Sequence, residues 1–208
     1  MRIEIRNDHV MLDGYVNAVG RESRVLPSPK GKFIEQIAPK TFAKALMKAS
    51  DIDLLFNHNK SRKLGSIKEG NLELREDNIG LRAIATVSDQ EVIDKAKKGE
   101  LQGWSFGMAV NSDTWSDGAD GIQRRMVDDL DLFEVSILDR TPAYVATTIE
   151  QRGEESVLSE QRVETFEAKI EDKSEAIEKP KDDEKREVPN HSLYEQEITL
   201  LKMKRGLK

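Results

Sequence analysis

Short alternating apolar runs, cut by glycine, proline, asparagine or aspartate, fill the first 150 residues and leave room for only two helices. RIEIR sets Ile3 and Ile5 on one face, as a strand does. MLDGYVNAVG, FIEQIAP, IDLLFNH, GWSFGMAV, IQRRMV and LFEVSIL have the same character, and NLELRED and IGLRAIATV flank a turn at Asp77-Asn78. RESRVLPSPKGKF, with two prolines and a glycine, reads as a loop, and NSDTWSDGADG is turn-rich. Helical spacing is confined to two windows. KTFAKALMKA follows Pro39 and aligns Phe42, Ala45, Leu46 and Ala49. VIDKAKKGE follows a Ser88/Glu91 capping box and ends near Gly99. About eight strands without crossover helices predict a mixed α/β fold with mainly antiparallel strands, closed as a β-barrel flanked by short helices.

Charge divides the chain. Hydrophobic residues are 37% and charged residues 35%, an apolar-poor balance for one globule of this length. Residues 151–208 hold 12 Lys/Arg and 15 Asp/Glu in 58 positions, against 21 and 24 in the 150 before them. The expected organisation is a globular domain over 1–152, closed by DRTPAYVATTIEQR, and a charged tail over 153–208. In that tail Val157, Val163, Phe166 and Ile170 are spaced for a weakly amphipathic helix. EKPKDDEKREVPN predicts disorder and YEQEITLLKMK a short helix.

The net charge of −6 and the lack of a basic block in the first 150 residues argue against a direct nucleic-acid role. KMKR near the C-terminus reads as a solvated chain end. The absence of cysteine excludes a disulfide framework, a cysteine nucleophile and a cysteine-ligated zinc. Three scattered histidines give no ligand-spaced cluster and no G-x-x-x-x-G-K loop occurs, so neither metal nor cofactor is expected. MRIEIRNDHV is too polar for a signal-peptide core and no long apolar run exists, so the expectation is a soluble protein acting inside a cell, with no membrane partner.

GWSFG, Gly103 to Gly107, matches the G-x-S-x-G nucleophile elbow. An elbow needs a helix after the serine, and FGMAVNSDTWSDG has no helical pattern. It also needs its histidine later in the chain, where only His191 in the charged tail is found. A lipase or esterase of that kind is therefore disfavoured. Ser105 still has a potential base, because a serine hydroxyl needs one and imidazole is suited to the task. His9 lies in a polar run. His58 ends the apolar run IDLLFNH, where a core meets a cleft, or where a loop histidine is simply hydrogen-bonded. For a carboxylate, DDLDLFEVSIL offers Asp128, Asp129, Asp131 and Glu134. Strict alternation places Glu134 with Leu132 and Ser136, opposite Phe133, Val135 and Ile137. It is either solvent-facing or held inside by a partner.

The order of several blocks narrows the choice. GYVNAVG, FIEQIAPKTFAKAL, LLFNHNKSRKLGSIKEGNLELREDNIGLRA, KKGELQGWSFGMAV, LFEVSIL and PAYVATTIEQR follow one another between Gly14 and Arg152. In this the chain resembles the prohead proteases of tailed bacteriophages, capsid-maturation serine proteases with a herpesvirus-assemblin-like fold. Two positions depart from the family pattern. Pro39-Lys40-Thr41 stands where Pro-Gly-Ala is usual, and Asn59 follows His58 where Asp is common.

The resemblance implies Ser105 as nucleophile, His58 as general base and Glu134 as the residue that holds the imidazole. Arg124 or Arg125 is a candidate to position a water or the oxyanion, against a plain solvated strand arginine. The implied activity is limited endoproteolysis inside the phage procapsid, in the host bacterial cytoplasm. The implied partners are the major capsid protein and its scaffolding segment, the chain's own tail as a self-cleavage substrate, and a second copy in a homodimer. The alternative is a catalytically inactive, protease-like scaffolding protein, for which His58 would lie far from Ser105.

Overall fold

A computed structural model describes residues 1–28, 31–139, 147–152, 155–165 and 168–174. All of them fall within one unit, Met1–Glu175. The segments EKPKDDEKREVPN and YEQEITLLKMK, and most of DRTPAY, lie outside the described residues.

The first sheet is built from plain alternation. β1 (Arg2–Ile5), β2 (Val10–Ala18), β7 (Leu72–Glu76), β8 (Gly80–Val87) and β13 (Lys169–Asp172) stand in the order β13-β1-β2-β8-β7. Only the β1–β13 pair is parallel. Ile3, Ile5, Val10, Leu12, Leu81, Ala83, Ala85 and Val87 are buried at every second position. The β7–β8 turn forms at Asp77-Asn78 as predicted, with Asp77 Oδ1 accepting from the amides of Ile79 and Gly80 at 2.8 and 3.2 Å. In β1, next to the edge strand β13, Glu4 is covered, and Lys173 and Arg6 beside it hold its carboxyl down at about 2.

The second sheet carries the long strands. It contains β3 (Leu26–Ser28), β4 (Gly31–Ile37), β5 (Asp53–Phe56), β6 (Asn59–Ser66), β9 (Gly103–Asp117), β10 (Gln123–Leu138), β11 (Thr147–Arg152) and β12 (Glu155–Thr165). The order is β11-β12-β9-β10-β4-β3, with β5 and β6 beside the far half of β10. β10 pairs in parallel with β4 over Gln123–Val127 and with β5 over Glu134–Ile137. Between those two, α1 (Thr41–Lys48) leaves and re-enters the sheet. The second helix, α2 (Gln90–Lys97), buries Val92, Ile93 and Ala96.

Five expectations are corrected. The described strands form two open sheets and not one closed barrel. IQRRMV and LFEVSIL are one bent strand, and NSDTWSD continues β9, because long-range pairing overrides local turn residues. Residues 155–165 and 169–172 are strands where helical spacing was expected, because they pair with the free edges of β9 and β1. α2 is capped by Asp89 rather than Ser88, the Asp89 carboxylate accepting from the amide of Val92 at 3.1 Å. Gly99 at its end has φ 70, the left-handed conformation a C-terminal cap requires. Among the described residues, no helix is long and apolar enough to cross a membrane.

Candidate active site

His58 stands on a two-residue turn. Phe56 pairs with Asn59, so Asn57 and His58 alone join β5 to β6, with φ 54 and 58. Positive φ at both central positions is the type I′ geometry that suits the twist of a hairpin. Asparagine and histidine are among the few side chains that tolerate it. Neighbouring groups fix the turn. The amide of Asn57 donates to the carbonyl of Ile137 at 2.9 Å. Its side-chain Nδ2 donates to Asp139 Oδ1 at 2.9 Å, and Asp139 returns its amide to Asn57 Oδ1 at 3.2 Å. Asp139 also pairs with Lys95 at 2.9 Å and holds that ammonium above its usual value.

Glu134 is brought to the turn by a bulge. Leu132 pairs with Met108 and Glu134 with Gly107, so Phe133 is an extra residue on β10. The bulge shifts the alternation. Leu132 stays in the core with Val135 and Ile137, while Glu134 and Ser136 emerge on the opposite face. The predicted grouping of Glu134 with Leu132 is therefore wrong, and its grouping with Ser136 is right. Glu134 is held inside rather than solvent-facing, at 9% exposure.

On that face three side chains form one hydrogen-bonded line. His58 Nδ1 lies 2.6 Å from Glu134 Oε1, and His58 Nε2 lies 2.6 Å from Ser105 Oγ. Ser136, opposite Ser105 in the β9–β10 pair, braces the line from behind. Its hydroxyl donates to Glu134 Oε2 at 2.7 Å and accepts the amide of His58 at 3.1 Å. With Nδ1–H directed at the carboxylate, Nε2 is the nitrogen left to exchange a proton with the serine. Gly107 makes room, since a Cβ there would sit 2.7 Å from Glu134 Oε1. Both glycines of GWSFG lie within β9, which runs on as a strand, so the elbow is excluded by structure too.

A family model described as caudovirus prohead serine protease matches residues 1–169. The chain belongs to this family. No curated protein and no solved structure matches it. Family membership supports a bacteriophage serine protease of capsid maturation.

The other candidate residues stand elsewhere. His9 pairs with Asp8 at 2.8 Å on the surface, and His191 lies outside the described residues. Asp129 binds Lys48, and Asp128 faces Thr114. Arg124 meets Asp120 and Glu22 at 3.0 and 2.9 Å as a partly exposed strand arginine. Arg125 departs from that expectation. It is buried, with Nη1 3.1 Å from Glu35 and Nε 2.6 Å from Asp113. Among the described residues no cluster of three or more potential metal ligands forms.

Sequence reasoning missed Ser136, Asn57, Asp139 and Gly107. Ser136 alone had a readable signal, a small polar residue two positions beyond Glu134. It also missed Arg162 of β12, whose carbonyl accepts the hydroxyl of Ser105.

Proposed function

We propose that this chain is an active serine endopeptidase that trims the major capsid protein and its scaffolding segment, and its own tail, inside the procapsid. The observation that carries the reading is the unbroken line Glu134–His58–Ser105, with both imidazole nitrogens engaged at 2.6 Å. Ser105 Oγ attacks the scissile carbonyl as His58 Nε2 takes its proton. His58 then delivers that proton to the leaving amine. Glu134 keeps Nδ1 protonated and balances the imidazolium that forms, and Ser136 keeps Glu134 from rotating away. Water, activated by the same imidazole, hydrolyses the acyl-enzyme. No metal or cofactor is required by this chemistry.

In the same proposal, residues 1–152 carry the protease chemistry, and the 153–208 extension, whose strands β12 and β13 pair with that body, tethers the enzyme to the assembling shell. One observation favours the scaffolding alternative. Ser105 is 0% exposed beneath β12, so the state described has no room for a substrate at its hydroxyl.

Co-expression with the major capsid protein of the same genome, followed by intact mass spectrometry, separates the two. Capsid-protein truncation with wild type that disappears with Ser105→Ala is the expected result. Assembled shells of full-length capsid protein with wild type would move the assignment to a scaffold.

A further inference from the structure

We propose that Glu35 is the specificity-determining residue of this protease, recognising the guanidinium of an arginine that immediately precedes the scissile bond. Arg162 occupies that position in the chain itself. The inference rests on the reading of Ser105 as nucleophile.

Two ends of one residue carry it. The carbonyl of Arg162, part of the Arg162–Val163 peptide bond, accepts the hydroxyl of Ser105. The side chain of the same residue is buried at 4% exposure and meets Glu35 with two parallel bonds, Nε to Oε1 at 2.6 Å and Nη2 to Oε2 at 2.8 Å. A peptide bond held at the nucleophile, with the preceding side chain seated in a complementary pocket, is how a substrate lies in its protease. The backbone agrees. β12 runs antiparallel to β9 with Arg162 opposite Phe106 and Val163 opposite Ser105. An extended peptide added to a sheet edge binds in this way.

The register sends the guanidinium away from the hydroxyl. Opposite Phe106, Arg162 lies on the core face, the face on which Glu35 stands with Ile37. Glu35 is 3% exposed and also receives Arg125, which in turn binds Asp113 and lies over the Trp115 ring at 5.5 Å. Glu35 and Asp113 both meet the Arg125 guanidinium there, and the Glu35 carboxylate is a negative charge held in a buried place. Such a charge demands a cation. The paired oxygens of Glu35 suit the planar fork of arginine better than the single ammonium of lysine.

β12 is bound as a resident competitor. A hydroxyl has one proton, and here it points at the Arg162 carbonyl. Nε2 lies 2.6 Å from the hydroxyl oxygen, but the proton it would take is engaged by that carbonyl. Withdrawal of β12 frees both the edge of β9 and the serine proton.

The test uses the full chain and peptidyl diphenyl phosphonates that differ only in the side chain next to phosphorus: Arg, Lys, Leu or Glu. Mass spectrometry follows labelling of Ser105, with a generic fluorophosphonate in parallel. The Arg probe is expected to label wild type about tenfold or more faster than the Leu probe. Glu35→Gln should lower that ratio by about tenfold or more. A merely structural role for Glu35 slows all probes together and leaves the ratio unchanged, which would overturn the proposal. If Glu35→Gln does not fold, Arg162→Ala decides, because it vacates the pocket and keeps Glu35. Its Arg-probe labelling should rise several-fold over wild type, and no gain specific to the Arg probe overturns the proposal. Fluorophosphonate labelling without Arg preference sinks the specificity alone. Failure of every probe to label Ser105, in Arg162→Ala as well, sinks the nucleophile and the specificity together.

Discussion

The two sheets are made from similar strands and differ in one respect. In the β13-β1-β2-β8-β7 sheet, core residues recur at every second position, and β2–β8 has a single register shift, between Tyr15 and Asn17. In the other sheet, β9 and β10 slip three times, at Val127/Asp129, Asp129/Leu130 and Leu132/Glu134. The core face of β10 therefore passes from Val127 to Leu130 and Leu132, then to Val135 and Ile137. Each slip keeps apolar residues inside while re-aiming polar ones. The last slip turns Glu134 to His58. Regular alternation builds stability, and broken alternation builds the site.

Gly107 lies beside the slip that turns Glu134. The nearest atoms an added methyl would meet there all belong to the Glu134 side chain, Oε1 at 2.7 Å and Cδ and Cγ at 3.3 Å. A side-chain end can swing aside, so the fold should survive. The carboxylate, however, would leave His58 Nδ1. Gly107→Ala should lower Ser105-dependent cleavage about 100-fold, the cost of misplacing a catalytic group by about 1 Å. Thermal unfolding should shift little. Cleavage at the wild-type rate would show that Glu134 does not orient the imidazole.

The regular sheet offers the converse. Val10 is fully buried in β2 opposite Val87, remote in sequence from the three slips of β10. Val10→Ala removes two methyl groups and should destabilise the fold by about 2 kcal/mol. The cleavage rate per folded molecule should be unchanged. Denaturant titration and active-site labelling of one sample read both quantities. A rate loss larger than the loss of folded protein would join the two sheets into one functional element.

The same division decides what was legible. Ile3 and Ile5, the Asp77-Asn78 turn and both helices were visible because their pattern is local. Ser105 and His58 were visible because their flanking blocks resemble a known family. The face of Glu134 was not, because a bulge leaves no mark in the residues that form it and alternation was carried through Phe133. β12 was missed because a strand at a sheet edge is defined by its partner, and the spacing of its few apolar residues suited a helix. Glu35 and Arg162 lie 127 positions apart, and only the folded pairing of their strands buries both.

α1 joins the two sheets. At its start, Glu76 of β7 accepts the amides of Lys40 and Ala43 at 2.5 and 2.7 Å, while Thr41 Oγ1 donates to the carbonyl of Asp128 in β10 at 3.2 Å. The chain enters this cap through Lys40 at φ 73, where a side chain with a Cβ is strained. Lys40 is the departure from the usual glycine noted in the sequence, and the backbone still has the glycine conformation. Lys40→Gly relieves the strain and returns part of the gain as greater freedom of the unfolded chain. A net stabilisation of about 0.5–1 kcal/mol should appear in denaturant unfolding. The cleavage rate should stay the same, since neither the Glu76 cap nor any slipped residue of β10 changes. A stabilisation accompanied by slower cleavage would mean that the joint has to move during turnover, and the two sheets would then act as one machine.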